Sequence, residues 1–243
     1  MRHPVALRIK RNIPIYIAFA IIILIVVYAK AITVEINNLN MESFFWQMNI
    51  WFDDVDFMDD IISLILLITP FVFIQMTLGD ILNNDTGING SLLFTRYKSK
   101  TQYVTHFIME QMINILIMTI IIFTVEYLYF SISNYTLLIG KQTLQKIAIN
   151  FIEVYSRNLN VILLTNLLAY VIRNAIQATI VLDSIIICCL IFINQIRTIA
   201  VFKIIPIISS IINEQNMIII SAFEILITII ILHHLVMKRE LYC

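Results

Sequence analysis

Long apolar runs separated by short charged stretches dominate the chain. Residues 12–29 carry no charge between Arg11 and Lys30, and residues 61–79 carry none between Asp60 and Asp80. About 20 predominantly apolar residues cross the hydrocarbon core as a helix, so these runs predict spans at about 12–30 and 61–79. Four further runs each tolerate isolated ionisable groups. They cover about 105–130 with Glu110 and Glu126 towards its ends, 158–180 with Arg173, 184–202 opened by Asp183 as a helix start, and 216–236 with Glu224. The pattern predicts an all-α polytopic membrane protein, one transmembrane domain over 1–243 with about six transmembrane helices. Between the spans lie outer loops at 31–60, 131–157 and 203–215, and an inner loop at 80–103.

Composition agrees with that class. Of 243 residues, 60% are hydrophobic and 13% charged, about half the charge of a soluble domain, where roughly a quarter of residues are charged. Mean hydropathy is +0.91. Sixteen basic residues balance sixteen acidic ones, so no bulk positive charge speaks for nucleic acid. Three cysteines, with Cys188 and Cys189 adjacent in an apolar run, form no disulfide framework. The abundance of Ile and Asn is that of an AT-rich, low-GC genome, which predicts the cell membrane of a Gram-positive bacterium.

The first run has a signal-peptide flavour, with a basic leader (Arg2, Arg8, Lys10, Arg11) and Ala29-Lys30-Ala31 as a small-residue site. Its apolar stretch exceeds the usual 7–15 residues and Lys30 interrupts the site, so a retained span is predicted. Basic residues then orient the bundle. With the N-terminus inside, the inner segments hold Arg2, Arg8, Lys10, Arg11, Arg96, Lys98, Lys100, Arg173, Lys238 and Arg239. The outer segments hold Lys30, Lys141, Lys146, Arg157, Arg197 and Lys203. That asymmetry follows the positive-inside rule and predicts both termini in the cytoplasm.

Two loops carry more information. The first outer loop sets Phe44, Phe45, Trp46, Trp51 and Phe52 beside acidic residues, which predicts an interfacial element, either a plain anchor or an outer gate. The inner loop holds three of the four glycines, Gly79, Gly87 and Gly90. Gly79 can end the second helix, and Ser91 can cap a short element bearing Leu92, Leu93, Phe94 and Tyr97 before a basic end. Such an element lies on the inner membrane surface, inserts into a partner's groove, or is an ordinary positive loop.

Gly90-Ser91-Leu92-Leu93-Phe94-Thr95-Arg96-Tyr97-Lys98-Ser99-Lys100, between the second and third of six spans, resembles membrane subunits of ABC-2-type exporters. The likeness is to small permeases of bacteriocin and peptide-antibiotic export or self-immunity systems. It covers the whole chain as a span pattern, but its sequence-specific part is only 91–100. It implies that this loop docks on a separate cytoplasmic ATPase through Leu92, Leu93, Phe94, Arg96, Tyr97 and Lys98. It further implies a second permease copy or related permease, a peptide-like substrate within the lipid bilayer, and ATP and Mg in the partner rather than here. The competing expectation is an ATP-independent immunity protein that sequesters a toxic peptide.

Catalytic signatures are missing from the sequence. No G-x-x-x-x-G-K-[ST], G-x-S-x-G or H-E-x-x-H occurs, which argues against an enzyme. His106 and Glu110 share a helical face and His233-His234 adjoin Lys238, but the four histidines make no zinc set. Glu224, eight residues into the last span, is the intramembrane carboxylate to place on a substrate path or in an interhelical bond, with Asn194 or Gln195 as candidate partners. Gln75, Asn114 and Asn166 are predicted to bond between helices.

Overall fold

The computed structural model describes residues 11–33, 41, 44, 45, 48, 61–82, 97, 99–133, 141–198 and 214–238. Among these residues six long helices follow one another: α1 (Ile13–Thr33), α2 (Ile61–Leu78), α3 (Lys100–Ser133), α4 (Lys141–Ile172), α5 (Ala175–Thr198) and α6 (Glu214–Lys238). No strand occurs among the described residues. Gly79 falls just beyond α2, which continues through Pro70. Seven threonines (Thr69, Thr77, Thr105, Thr119, Thr124, Thr165 and Thr228) return their hydroxyls to the carbonyl four residues back. That local bond silences a polar group that hydrocarbon could not solvate.

The helices are polar inside and apolar outside. On α3, Glu110, Gln111, Asn114, Thr119 and Glu126 are buried, whereas Met112, Leu116, Ile120, Leu128 and Ile132 are exposed. On α1, Tyr16 is buried, as is Asn12 just before the helix, while Ile17, Ile21, Leu24 and Ile25 face outward. A soluble helix does the reverse, so the surroundings these faces suit are apolar. Among the described residues three helices are long and apolar enough to cross a membrane, over Ile13–Lys30, Lys100–Ile132 and Thr143–Ile172. Shorter apolar stretches cover Ile68–Leu78 and Ala175–Cys188.

Two boundaries differ from the sequence expectation. Residues 141–157, assigned there to an outer loop, form the first half of α4. Their polar side chains disguised them, yet no glycine or proline interrupts residues 141–172. Asp183 starts no helix. It sits inside α5, and the turn lies ten residues earlier, with Arg173 and Asn174 outside the fourth helix rather than within it. Arg173 takes a left-handed conformation (φ 62°) and its N–H donates to the Ala169 carbonyl at 2.8 Å, an αL helix end made without glycine. Asn174 then caps α5, its Oδ1 accepting from the Gln177 N–H at 3.1 Å.

The chain divides into two compact units, one of Met1–Phe71 with Asn114–Tyr155 and the other of Val72–Ile113 with Ser156–Cys243. In the first, Asn114 joins α1 to α3, accepting from the Tyr16 hydroxyl at 2.5 Å and from Asn12 Nδ2 at 3.5 Å. Phe44, Phe45 and Met48 are buried in this unit. Phe44 lies 6.3 Å from the ring of Tyr129 and 5.2 Å from that of Phe130, and Phe45 stacks on Phe123 at 5.5 Å. Asn150 donates to the Phe45 carbonyl at 3.0 Å and Lys30 to that of Met48 at 2.6 Å. These two aromatics therefore belong to the helical core, not to an interfacial anchor; Trp46, Trp51 and Phe52 lie outside the described residues.

Candidate functional site

The second unit contains both ends of the connection between α2 and α3. Gly79 follows α2 and donates its N–H to the Gln75 carbonyl at 2.7 Å. A Cβ at this position would press on that carbonyl and stand 2.6 Å from Thr165 Cγ2 on α4, so glycine is what permits the approach. One turn on, Asn166 of α4 closes a clamp. Its Nδ2 donates to the Leu78 carbonyl at 3.0 Å and to that of Ile162 at 2.9 Å, while its Oδ1 accepts from the Leu82 N–H at 3.2 Å. The carbonyl at the end of α2 and the amide beyond it, groups a helix terminus leaves without internal partners, are thus satisfied across the bundle.

The far end is held as firmly. Tyr97 is only 9% exposed, with its ring 5.5 Å from Tyr103 and 5.4 Å from His106. Ser99 caps α3, its Oγ accepting from the Gln102 N–H at 3.2 Å. Lys100 donates to the Met237 carbonyl at 3.4 Å, and Thr101 lies 3.9 Å from Met237 Sδ. A lysine ammonium suits the negative end of α6. Residues 83–96 are therefore bracketed by Leu82 and Tyr97, each fixed to other helices or to the start of α3.

Of the six residues assigned to ATPase docking, Leu92, Leu93, Phe94, Arg96 and Lys98 lie outside the described residues, as does the expected cap Ser91. Tyr97 is placed, buried with its ring against Tyr103 and His106 of α3.

Glu224 stands on an exposed part of α6 beside outward-facing Phe223 and Ile227. Its Oε2 accepts from Asn160 Nδ2 of α4 at 2.6 Å. Its partner among the described side chains is Asn160; those of Asn194 and Gln195, the suggested partners, lie outside the described residues. The Asn160 amide oxygen is itself buried without a hydrogen bond. Asn114 and Asn166 make the long-range bonds expected of them. Gln75 is 0% exposed and its side chain meets the Asp183 carboxylate of α5. Among the described residues no three His, Cys, Asp or Glu side chains gather as metal ligands. No family model, curated protein or solved structure matches the chain.

Proposed function

We propose that the chain is the permease subunit of an ABC exporter, carrying a hydrophobic or membrane-active substrate of peptide type and driven by a separate cytoplasmic ATPase. In this reading it sits in a bacterial cell membrane, of a low-GC Gram-positive, as six spans with both termini inside. Two such subunits, identical or related, frame one pathway. Glu224 and Asn160 offer that pathway a polar contact, because an intramembrane carboxylate ordinarily faces a bundle interior or a water-filled cavity.

The observation that carries the reading is the bracketed connection between α2 and α3. Closure of an ATPase dimer pushes on residues 83–96, and neither end can absorb the push locally. The Asn166 clamp passes displacement of Leu78 and Leu82 to α4, while Tyr97 and Ser99 pass it to α3. A loose positive loop would need neither attachment.

Copurification of the ATPase with the wild-type chain from native membranes tests the assignment. Phe94→Ala and Leu93→Ala should each weaken association, since truncating a buried aromatic or aliphatic anchor costs about 2 kcal/mol, roughly thirtyfold in affinity. Lys98→Ala should cost about 0–1 kcal/mol and depend on salt. Tyr97→Ala should lower the chain's own stability first. Full ATPase binding by both anchor variants refutes the docking role. Absence of any ATPase with the wild type transfers the assignment to the ATP-independent immunity protein.

A further inference from the structure

Glu224 sits in the middle of α6, about 15 Å along the axis from Glu214 and about 21 Å from Lys238 at roughly 1.5 Å per residue. With α6 as a span, that is the interior of a hydrocarbon core about 30 Å thick, beyond the reach of lipid headgroups. Glu224 is exposed there, and its face of the helix continues with Ile227 and Ile231, 43% and 44% exposed. Leu164, one turn on from Asn160 along α4, is half-buried. Hydrocarbon is the costliest place for a carboxylate, and among the described residues no basic side chain pairs with this one.

Acceptors outnumber donors at this point. Asn160 spends its Nδ2 on Glu224 Oε2 at 2.6 Å, and its own Oδ1 is left buried without a hydrogen bond. Both atoms belong to one amide, so that oxygen stands beside the carboxylate. A water could donate to both groups but would leave the negative charge in place. A hard metal cation takes about six oxygen ligands, more than one carboxylate and one amide supply. A second copy docked symmetrically through this face would bring a second carboxylate, because a two-fold contact presents the same patch from both sides. A primary ammonium answers both needs, since it carries one positive charge and three N–H donors. Ile227, Ile231 and Leu164 beside it suit an aliphatic chain.

We infer that Glu224 and Asn160 bind the primary ammonium group of an amphiphile whose apolar part lies on Ile227, Ile231 and Leu164. This deepens the export reading, and rests on its placing of Glu224 in the pathway, by naming the substrate class as an amphipathic primary amine.

Thermal unfolding of the full chain in a non-ionic detergent tests this with hexylammonium, hexyltrimethylammonium and hexanol, at fixed ionic strength and pH. The wild type should gain melting temperature saturably with hexylammonium, because a ligand that binds only the native state stabilises it by mass action. Hexyltrimethylammonium keeps the charge but has no N–H for Asn160 Oδ1, so its midpoint should lie roughly tenfold higher. Hexanol should give no saturable gain. Glu224→Gln keeps the acceptor that Asn160 uses and should fold, yet its hexylammonium midpoint should rise roughly tenfold or more. A wild-type response that hexanol or hexyltrimethylammonium reproduces at the same concentration would overturn the site, as would a Glu224→Gln midpoint equal to that of the wild type. A wild type that ignores the amine but forms a dimer in light scattering, lost in Glu224→Gln, would assign the face to a second copy and overturn it too. No ATPase enters this assay, so its failure leaves the docking assignment standing, and absence of an ATPase partner leaves the amine site standing.

Discussion

Asn166→Leu is the most direct test of the clamp at the end of α2. Leucine matches asparagine closely in size, so the change removes bonds while leaving little cavity. Three hydrogen bonds go: the two that Nδ2 donates to the Leu78 and Ile162 carbonyls and the one that Oδ1 accepts from the Leu82 N–H. The Ile162 carbonyl lies one turn back on α4 itself, so its loss is minor. Leu78 and Leu82 are 0% exposed, and the backbone groups of these two residues that Asn166 serves lose their cross-helix partner. Interhelical bonds in membrane proteins average about 0.6 kcal/mol and reach about 1.7, whereas a fully orphaned buried group costs about 1–3 kcal/mol. Two such groups give a destabilisation of about 1–3 kcal/mol, or roughly 5- to 150-fold in the unfolding constant. Reversible unfolding by denaturing detergent, followed by helical circular dichroism, reads that number. Thr69→Val is the control, because Thr69 bonds only to Ile65 of its own helix, and it should change stability by less than about 0.5 kcal/mol. An Asn166→Leu variant as stable as the control would show that the clamp holds nothing.

Glu224→Gln keeps the acceptor that Asn160 uses and so should fold normally. On the pathway reading it should still cut export into inside-out vesicles by about tenfold, the scale of one lost charge-assisted contact, and wild-type transport would remove Glu224 from the path. The 34 residues of α3 extend about 51 Å, longer than the roughly 30 Å hydrocarbon core. In a chain freed of native cysteines, Ser133→Cys should therefore label with an impermeant thiol reagent on intact cells and Ser99→Cys only after permeabilisation. Labelling of both from outside would refute the orientation.

What the sequence discloses here is set by the range of the interaction that makes each feature. Apolar runs need no tertiary partner to be recognised, which is why the spans around α1, α2, α3 and α6 stand out. The first half of α4 hides because Lys141, Gln142, Gln145, Lys146 and Asn150 lower its hydropathy, although helix formation asks only for the absence of breakers. The turn at Arg173 and Asn174 contains neither glycine nor proline. Its local signal is the spacing Asn174-x-x-Gln177, the arrangement of a helix N-cap with a glutamine three residues on, which outranks Asp183 as a start. The burial of Phe44 and Phe45 carries no local mark, because Phe123, Tyr129, Phe130 and Asn150 lie some eighty or more positions further along. Asn166 was legible as a bonding residue, but not its targets.

The same argument separates the two kinds of polar residue within the helices. Where an asparagine finds backbone groups at a helix end, as Asn166 finds Leu78 and Leu82, its polarity is consumed by the fold and predicts stability effects. Where Gln75 of α2 meets the Asp183 carboxylate of α5, its polarity answers another side chain rather than the backbone. Residue type alone cannot tell these apart, since Gln75 and Asn166 read alike in the sequence. The distinction lies in the backbone: α2 ends beside Asn166, leaving a carbonyl and an amide to be satisfied, whereas it runs unbroken past Gln75, whose side chain meets the Asp183 carboxylate instead. A polar residue facing an intact helix therefore needs a side-chain partner, and its loss should expose that partner, whereas one facing a helix end, as Asn166 does, is the better pointer to backbone stability.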